Sequence, residues 1–126
     1  AGLCALQGRY GQIGIAVENG KRYICCLQKE PDGSILESRK PAPGEVVRLQ
    51  IVFDYRDRAD KASFAFRTAA GDWETVGKPL DMVFTLDLFV GYRIGIFCYA
   101  LKSAGGHGDF RDFVIRCDSS DLSEPL

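Results

Sequence analysis

Ile13-Gly14-Ile15-Ala16-Val17-Glu18-Asn19-Gly20-Lys21-Arg22-Tyr23-Ile24-Cys25-Cys26-Leu27 contains two strands and the turn between them. Ile13, Ile15 and Val17 alternate with Gly14 and Ala16, the period-two pattern of a strand with one side buried. Asn19-Gly20 follows, and both residue types accept the positive φ that a two-residue hairpin turn requires. Tyr23, Cys25 and Leu27 take up the alternation beyond the turn. This is the strongest local hairpin signal in the chain.

The same grammar extends outward in both directions. Pro31-Asp32-Gly33 turns the chain into Ile35-Leu36, and Pro41-Ala42-Pro43-Gly44 forbids helix before the next strand. Val47, Leu49, Ile51 and Phe53 then alternate with Arg48, Gln50 and Val52, as where one face is buried and the other is wet. The charged stretch from Asp54 to Lys61 reads as a solvated loop before Phe64 and Phe66. Ala70-Gly71-Asp72 turns toward Trp73, and Gly77-Lys78-Pro79 turns again. Two closing strands are expected, Ile94 to Tyr99 and Phe110 to Ile115, joined by Ala104-Gly105-Gly106-His107-Gly108.

No window sustains the i, i+3, i+4, i+7 pattern of an amphipathic helix. About eight short strands with frequent turns imply an all-β fold, two antiparallel sheets packed as a β-sandwich. At 126 residues and 46% apolar content the chain makes one domain, expected over 1–117, with a polar, acidic tail over 118–126. Ala1-Gly2-Leu3 opens straight into a strand-like run, which points to an edge once covered by preceding strands and so to an incomplete module.

Composition narrows the function classes. Lys and Arg number 16 against 17 Asp and Glu, with no basic stripe interleaved with aromatics, so nucleic acid is not an expected partner. No apolar run approaches the roughly 20 residues of a membrane helix, so no membrane partner is expected either. Five cysteines, Cys4, Cys25, Cys26, Cys98 and Cys117, are an odd number lying mostly within strand-like runs. They read as buried thiols in a reducing compartment, the cytoplasm, or a secreted one had a leader been removed. Cys25 and Cys26 point to opposite faces of a strand and cannot hold one ion together.

Catalytic candidates are weak. His107 sits between glycines and reads as an exposed loop residue with no second group to orient it as a base. Asp109 and Asp112 read as turn caps, and no catalytic residue or metal ligand is assigned. A structural calcium there is the one cofactor entertained, although calcium takes six to eight oxygens. The residues suited to sugar are rings with a polar handle: Trp73, Tyr92, Tyr99, Tyr23 and Tyr10. Trp73, Tyr92 and Tyr99 are the candidate carbohydrate contacts. In an unbulged strand Tyr92 shares a face with Ile94 and Ile96 while Tyr99 does not, so those two form no single platform.

Leu88-Phe89-Val90-Gly91-Tyr92-Arg93-Ile94-Gly95-Ile96-Phe97-Cys98-Tyr99-Ala100-Leu101-Lys102, followed by Gly105-Gly106-His107-Gly108-Asp109-Phe110-Arg111-Asp112-Phe113, resembles a known pattern. It is similar to the C-terminal concanavalin-like domain of glycoside hydrolase family 43, the β-xylosidases and α-arabinofuranosidases. Their chains run F-x-G-x-x-x-G-L-F-x-Y-A-T-K and then G-G-x-x-D-F-D-x-F. The opening Ala1-Gly2-Leu3 and Gly71-Asp72-Trp73 ahead of Val76-Gly77 fit the same order. Leu101 stands at the usual Thr, Arg111 at the usual Asp, and His107-Gly108 at a more usual aromatic and small pair.

The resemblance implies a concanavalin-like jelly roll that is an accessory to a catalytic β-propeller, where the reacting carboxylates reside. It implies xylo- or arabino-oligosaccharide as the ligand, and Phe89 as the residue that closes the sugar pocket. An independent carbohydrate-binding module is the alternative expectation, and a self-sufficient hydrolase a third.

Overall fold

Asn19 and Gly20 hold φ values of 52° and 75°, so the predicted turn forms with both central residues left-handed. In this computed structural model, which describes residues 1–7, 9–56, 60–69, 71–82 and 93–116, the turn sets Glu18 opposite Lys21. That pairing fixes the hairpin register: Ile15 opposes Ile24 and Ile13 opposes Cys26. Opposed residues point to the same side, so the core side of the second strand is Ile24, Cys26 and Gln28. Tyr23, Cys25 and Leu27, the set read as resuming the alternation, face outward with Gln12, Gly14 and Ala16.

The described strands are β1 (Gly2–Leu6), β2 (Tyr10–Glu18), β3 (Lys21–Lys29), β4 (Ile35–Pro41) and β5 (Arg48–Asp54). β6 (Lys61–Arg67), β7 (Glu74–Thr75), β8 (Leu80–Asp81) and β9 (Arg93–Phe97) complete them. No α-helix occurs among the described residues. One sheet runs β4-β3-β2-β1-β9, and the other β5-β6-β7 with β8 also on β6, all pairs antiparallel. The fold is thus the expected β-sandwich.

Ile13, Ile24 and Cys26 from the first sheet meet Ala62, Phe64, Phe66, Val76, Leu80 and Met82 from the second. Leu49, Ile51 and Phe53 of β5, with Val47 just before it, pack against this cluster from one side. Each fully buried Ile, Leu or Phe contributes about 1.5–3 kcal/mol relative to its exposed state, so this cluster dominates the stability. At the opposite margin Lys40 of β4 pairs with Glu74 of β7, linking the two sheets across the core edge.

Two expectations are corrected. β1, read as an edge, lies inside its sheet with β2 on one flank and β9 on the other. Ala1 already joins the ladder, its N donating to Ile15 O at 3.0 Å and its O accepting from Ile15 N at 2.8 Å. Phe110–Ile115 forms no strand and pairs with no described residue, and Phe113, Val114 and Ile115 are exposed. Alternation alone does not make a strand; a neighbouring strand must take up its N–H and C=O groups.

Candidate functional site

The ladder register lays out the outward face of the five-stranded sheet row by row, because directly opposed residues share a side. One row runs Phe97, Gly2, Gly14, Cys25 and Arg39 across β9, β1, β2, β3 and β4. The row beside it runs Gly95, Cys4, Gln12, Leu27 and Glu37. On the other side Ala16, Tyr23 and Pro41 align. Two glycines and an alanine therefore leave low ground between taller side chains.

Tyr99, two residues past Phe97, stacks on it with centroids 5.4 Å apart and planes inclined by 29°. Its hydroxyl accepts a hydrogen bond from Gln12 Nε2 at 2.7 Å. To reach Gln12 from the end of β9 the ring crosses β1, whose outward residues there are Gly2 and Cys4. No bulky side chain stands in the way, and the ring remains 54% exposed. Tyr99 is therefore a half-buried ring, fixed at one end by stacking and at the other by its hydroxyl.

Across the glycine strip the Arg39 guanidinium lies 5.5 Å from the centre of the Tyr23 ring. Arg39 also donates to Glu18 Oε2 at 2.7 Å and to Glu37 Oε1 at 2.5 Å. Lys102 Nζ stands 3.8 Å from Glu18 Oε1. Arg39 holds Glu18 and Glu37 below the usual carboxylate range, and they in turn raise its own pKa. Cys25 Sγ donates to Glu37 at 3.2 Å, and burial, followed by that carboxylate, pushes the thiol up to about 11.

Proton donation at neutral pH calls for a carboxyl whose pKa has been raised. Among the described carboxylates with a resolved shift, Glu18, Asp32, Glu37, Asp54 and Asp81, every one is lowered by a cation or a hydrogen-bond donor. These groups suit ion pairing. His107 and Asp109 are exposed, as is Asp112, which takes a left-handed φ of 57°. No group of three or more His, Cys, Asp or Glu side chains that could hold a metal ion occurs among the described residues.

The predicted rings separate. Trp73 extends the β6–β7 register so that it faces Arg67, whose guanidinium lies 5.0 Å from its ring centre. Arg67 Nε is enclosed there without a hydrogen-bond partner, so the indole face is its main company. Trp73 is thus on the outer side of the second sheet, and Tyr99 on the outer side of the first. Phe89 and Tyr92 lie outside the described residues. Gln12, Glu18, Glu37 and Arg39 carry no signal in the linear sequence; only the register brings them beside Tyr23 and Tyr99.

Two facing antiparallel sheets define a β-sandwich, and the family match makes it one of the concanavalin A-like kind. More particularly, the chain belongs to the β-xylosidase C-terminal concanavalin A-like domain family, whose model matches residues 1–116. Among solved structures it is similar to a bifunctional GH43-CE protein of Bacteroides eggerthii, with 34% identity and a TM-score of 0.75. The match covers 83% of this chain and 14% of that one, so the chain corresponds to a small part of that protein. No curated protein matches it.

Proposed function

We propose that this chain is the accessory module of a xylan- or arabinoxylan-degrading glycoside hydrolase, packed on a catalytic β-propeller whose sugar pocket it helps to shape. The observation that carries this reading is the match of residues 1–116 to a family described as a C-terminal domain of β-xylosidases. Phe89 is the residue assigned to the pocket, on the F-x-G resemblance, with a xylo- or arabino-oligosaccharide as the ligand. The four described cysteines are free, which accords with a cytoplasmic setting.

The test uses the natural polypeptide that carries this module. A propeller domain in the same chain is expected, and Phe89→Ala is expected to lower kcat/KM on an aryl β-xyloside by about tenfold, the effect of one lost apolar pocket contact. Thermal unfolding should be unchanged. A polypeptide without a hydrolase domain, or unaltered kcat/KM in the variant, would overturn the reading.

A further inference from the structure

We propose that the outward face of the second sheet docks on the catalytic domain of the same polypeptide, with one carboxylate of that domain seated between Arg48 and Arg67 beside Trp73. This rests on the accessory-module reading and assigns the surface through which the module is held.

The ladders set Arg48 opposite Arg67 and carry the same row on to Trp73. All three point outward, because their strand neighbours Leu49 and Phe66 pack on the core side. Like charges directly opposite each other across a ladder repel. Neither guanidinium has a carboxylate within 4 Å among the described residues, and Arg67 Nε is enclosed without a hydrogen-bond partner. Trp73 covers one side of Arg67, with its ring centre 5.0 Å from the guanidinium carbon, yet remains 40% exposed. At the opposite end of this face Asp54, Lys61 and Asp81 stand in register, and Lys61 reaches Asp81 at 2.7 Å. The cation at that end is neutralised within the chain, and the two at the Trp73 end are not.

Charge fixes the chemistry of the missing group. A guanidinium takes a carboxylate through parallel N–H donors, so one Asp or Glu side chain entering the row relieves the repulsion of both arginines. The indole beside it keeps water away and strengthens the pair. Shape then selects a protein surface as the bearer of that carboxylate. Gln50, Ala65 and Thr75 form the next outward row, and Val52 and Ser63 the one after, a neutral and even floor. A sugar substituent needs a concavity that encloses most of it, whereas a flat face bearing Arg and Trp is the usual centre of a protein contact. A free partner would have to bury about 1,000 Å² or more. A domain tethered in the same chain stands at about millimolar effective concentration, so this smaller patch suffices to hold it.

The test uses the natural polypeptide. Arg48→Lys keeps the charge at an exposed position and gives a carbodiimide an amine to couple to any carboxylate in contact with it. A link from position 48 to an Asp or Glu of the catalytic domain is expected by peptide mass spectrometry, with the Lys61–Asp81 link as the internal check on the reagent. Arg48→Glu should lower the unfolding temperature of the polypeptide, and changing the linked carboxylate to Arg in the same chain should restore it. No link from position 48 where Lys61–Asp81 forms, links confined to Glu45 or Asp72 of this chain or to a second copy, or no restoration would overturn the proposal. So would retention on glucuronic-acid-substituted xylan that Arg48→Gln abolishes, since the row would then serve an anionic sugar. A polypeptide without a catalytic domain refutes the accessory-module reading before any link is sought. A catalytic domain that responds to Phe89→Ala but gives no link refutes this surface alone.

Discussion

Gly11 on β2 and Phe64 on β6 meet across the two sheets, and the Phe64 ring fills the space a side chain at position 11 would need. A Cβ on Gly11 would lie 2.5 Å from Phe64 Cζ and 3.3 Å from Leu80 Cδ2. Gly11 lies on the core side of β2, two residues from Ile13, and Phe64 is only 1% exposed. One missing side chain on the first sheet thus seats the largest buried side chain of the second.

Gly11→Ala is expected to destabilise the fold by about 1–3 kcal/mol, the usual cost of overpacking a core. Phe64→Leu alone should also destabilise it, by leaving a void. In the double variant the losses should fall well short of their sum, because the smaller Leu accommodates the new methyl. Urea unfolding of the four proteins measures the coupling, and strict additivity would refute the contact.

The β2–β3 hairpin depends on its turn in the same checkable way. Gly20 has a φ of 75° with open space around its Cα, so only backbone strain opposes a side chain there. Gly20→Val should cost about 1–2 kcal/mol, the penalty for an L-residue in the left-handed region. Gly106, in the long loop, does not take a positive φ and has no neighbour within 4 Å of an added Cβ, so Gly106→Ala should be close to neutral. Equal unfolding midpoints for the Gly20 and Gly106 variants would contradict this.

Alkaline pH should unfold the protein partly through its thiols. Burial pushes Cys26 up to about 12 and Cys25 up to about 11, against the ordinary thiol value of 9.0. The folded state thus binds these protons more tightly than the unfolded state does. The stability they contribute is complete below pH 9 and declines as pH rises toward 11–12. Cys26→Ala should flatten the loss of urea midpoint between pH 9 and pH 11 relative to the unaltered chain. An unchanged slope would show that Cys26 is not the group involved.

Acid should act through the opposite sign. Arg39 lowers the pKa of Glu18 and of Glu37, so both favour the fold above the ordinary carboxylate range and lose that contribution as pH falls through their lowered values. Arg39→Met should raise both carboxylate midpoints in a carbon-detected NMR titration. It should also free the Tyr23 ring, seen as a change in its ring-proton shifts. Midpoints that stay where they are would mean that Arg39 does not hold these groups.

Trp73 supplies a probe of the second sheet, since it is the single tryptophan of the sequence. Arg67→Ala uncovers one face of its indole, so emission should shift to the red and acrylamide quenching should increase. The loss of the cation–π contact should cost about 0.5–1 kcal/mol. An unshifted spectrum would place Arg67 off the ring.

Much of the architecture was legible along the chain because it is written locally. Asn19-Gly20 between alternating runs specifies a hairpin wherever it occurs, and the Val47 to Phe53 alternation marks a half-buried strand, since both depend on residues a few positions apart. Family membership was legible for a related reason, because the order of its short motifs survives in the linear text. Phe110–Ile115 shows where such reading stops: its pattern suits a strand, but pairing depends on what lies alongside.

Residues a few positions apart suffice to make the chain all-β, to turn its first hairpin at Asn19-Gly20 and to mark the family it resembles. Tertiary structure alone decided which rings share a surface. Register is a relation between distant strands, and a shift of one residue sends every side chain to the other face. Only the ladders of β1 to β4 and β9 place Tyr99 against Gln12 and on the same face as Tyr23, while Trp73 falls on the far side of the sandwich with Arg67.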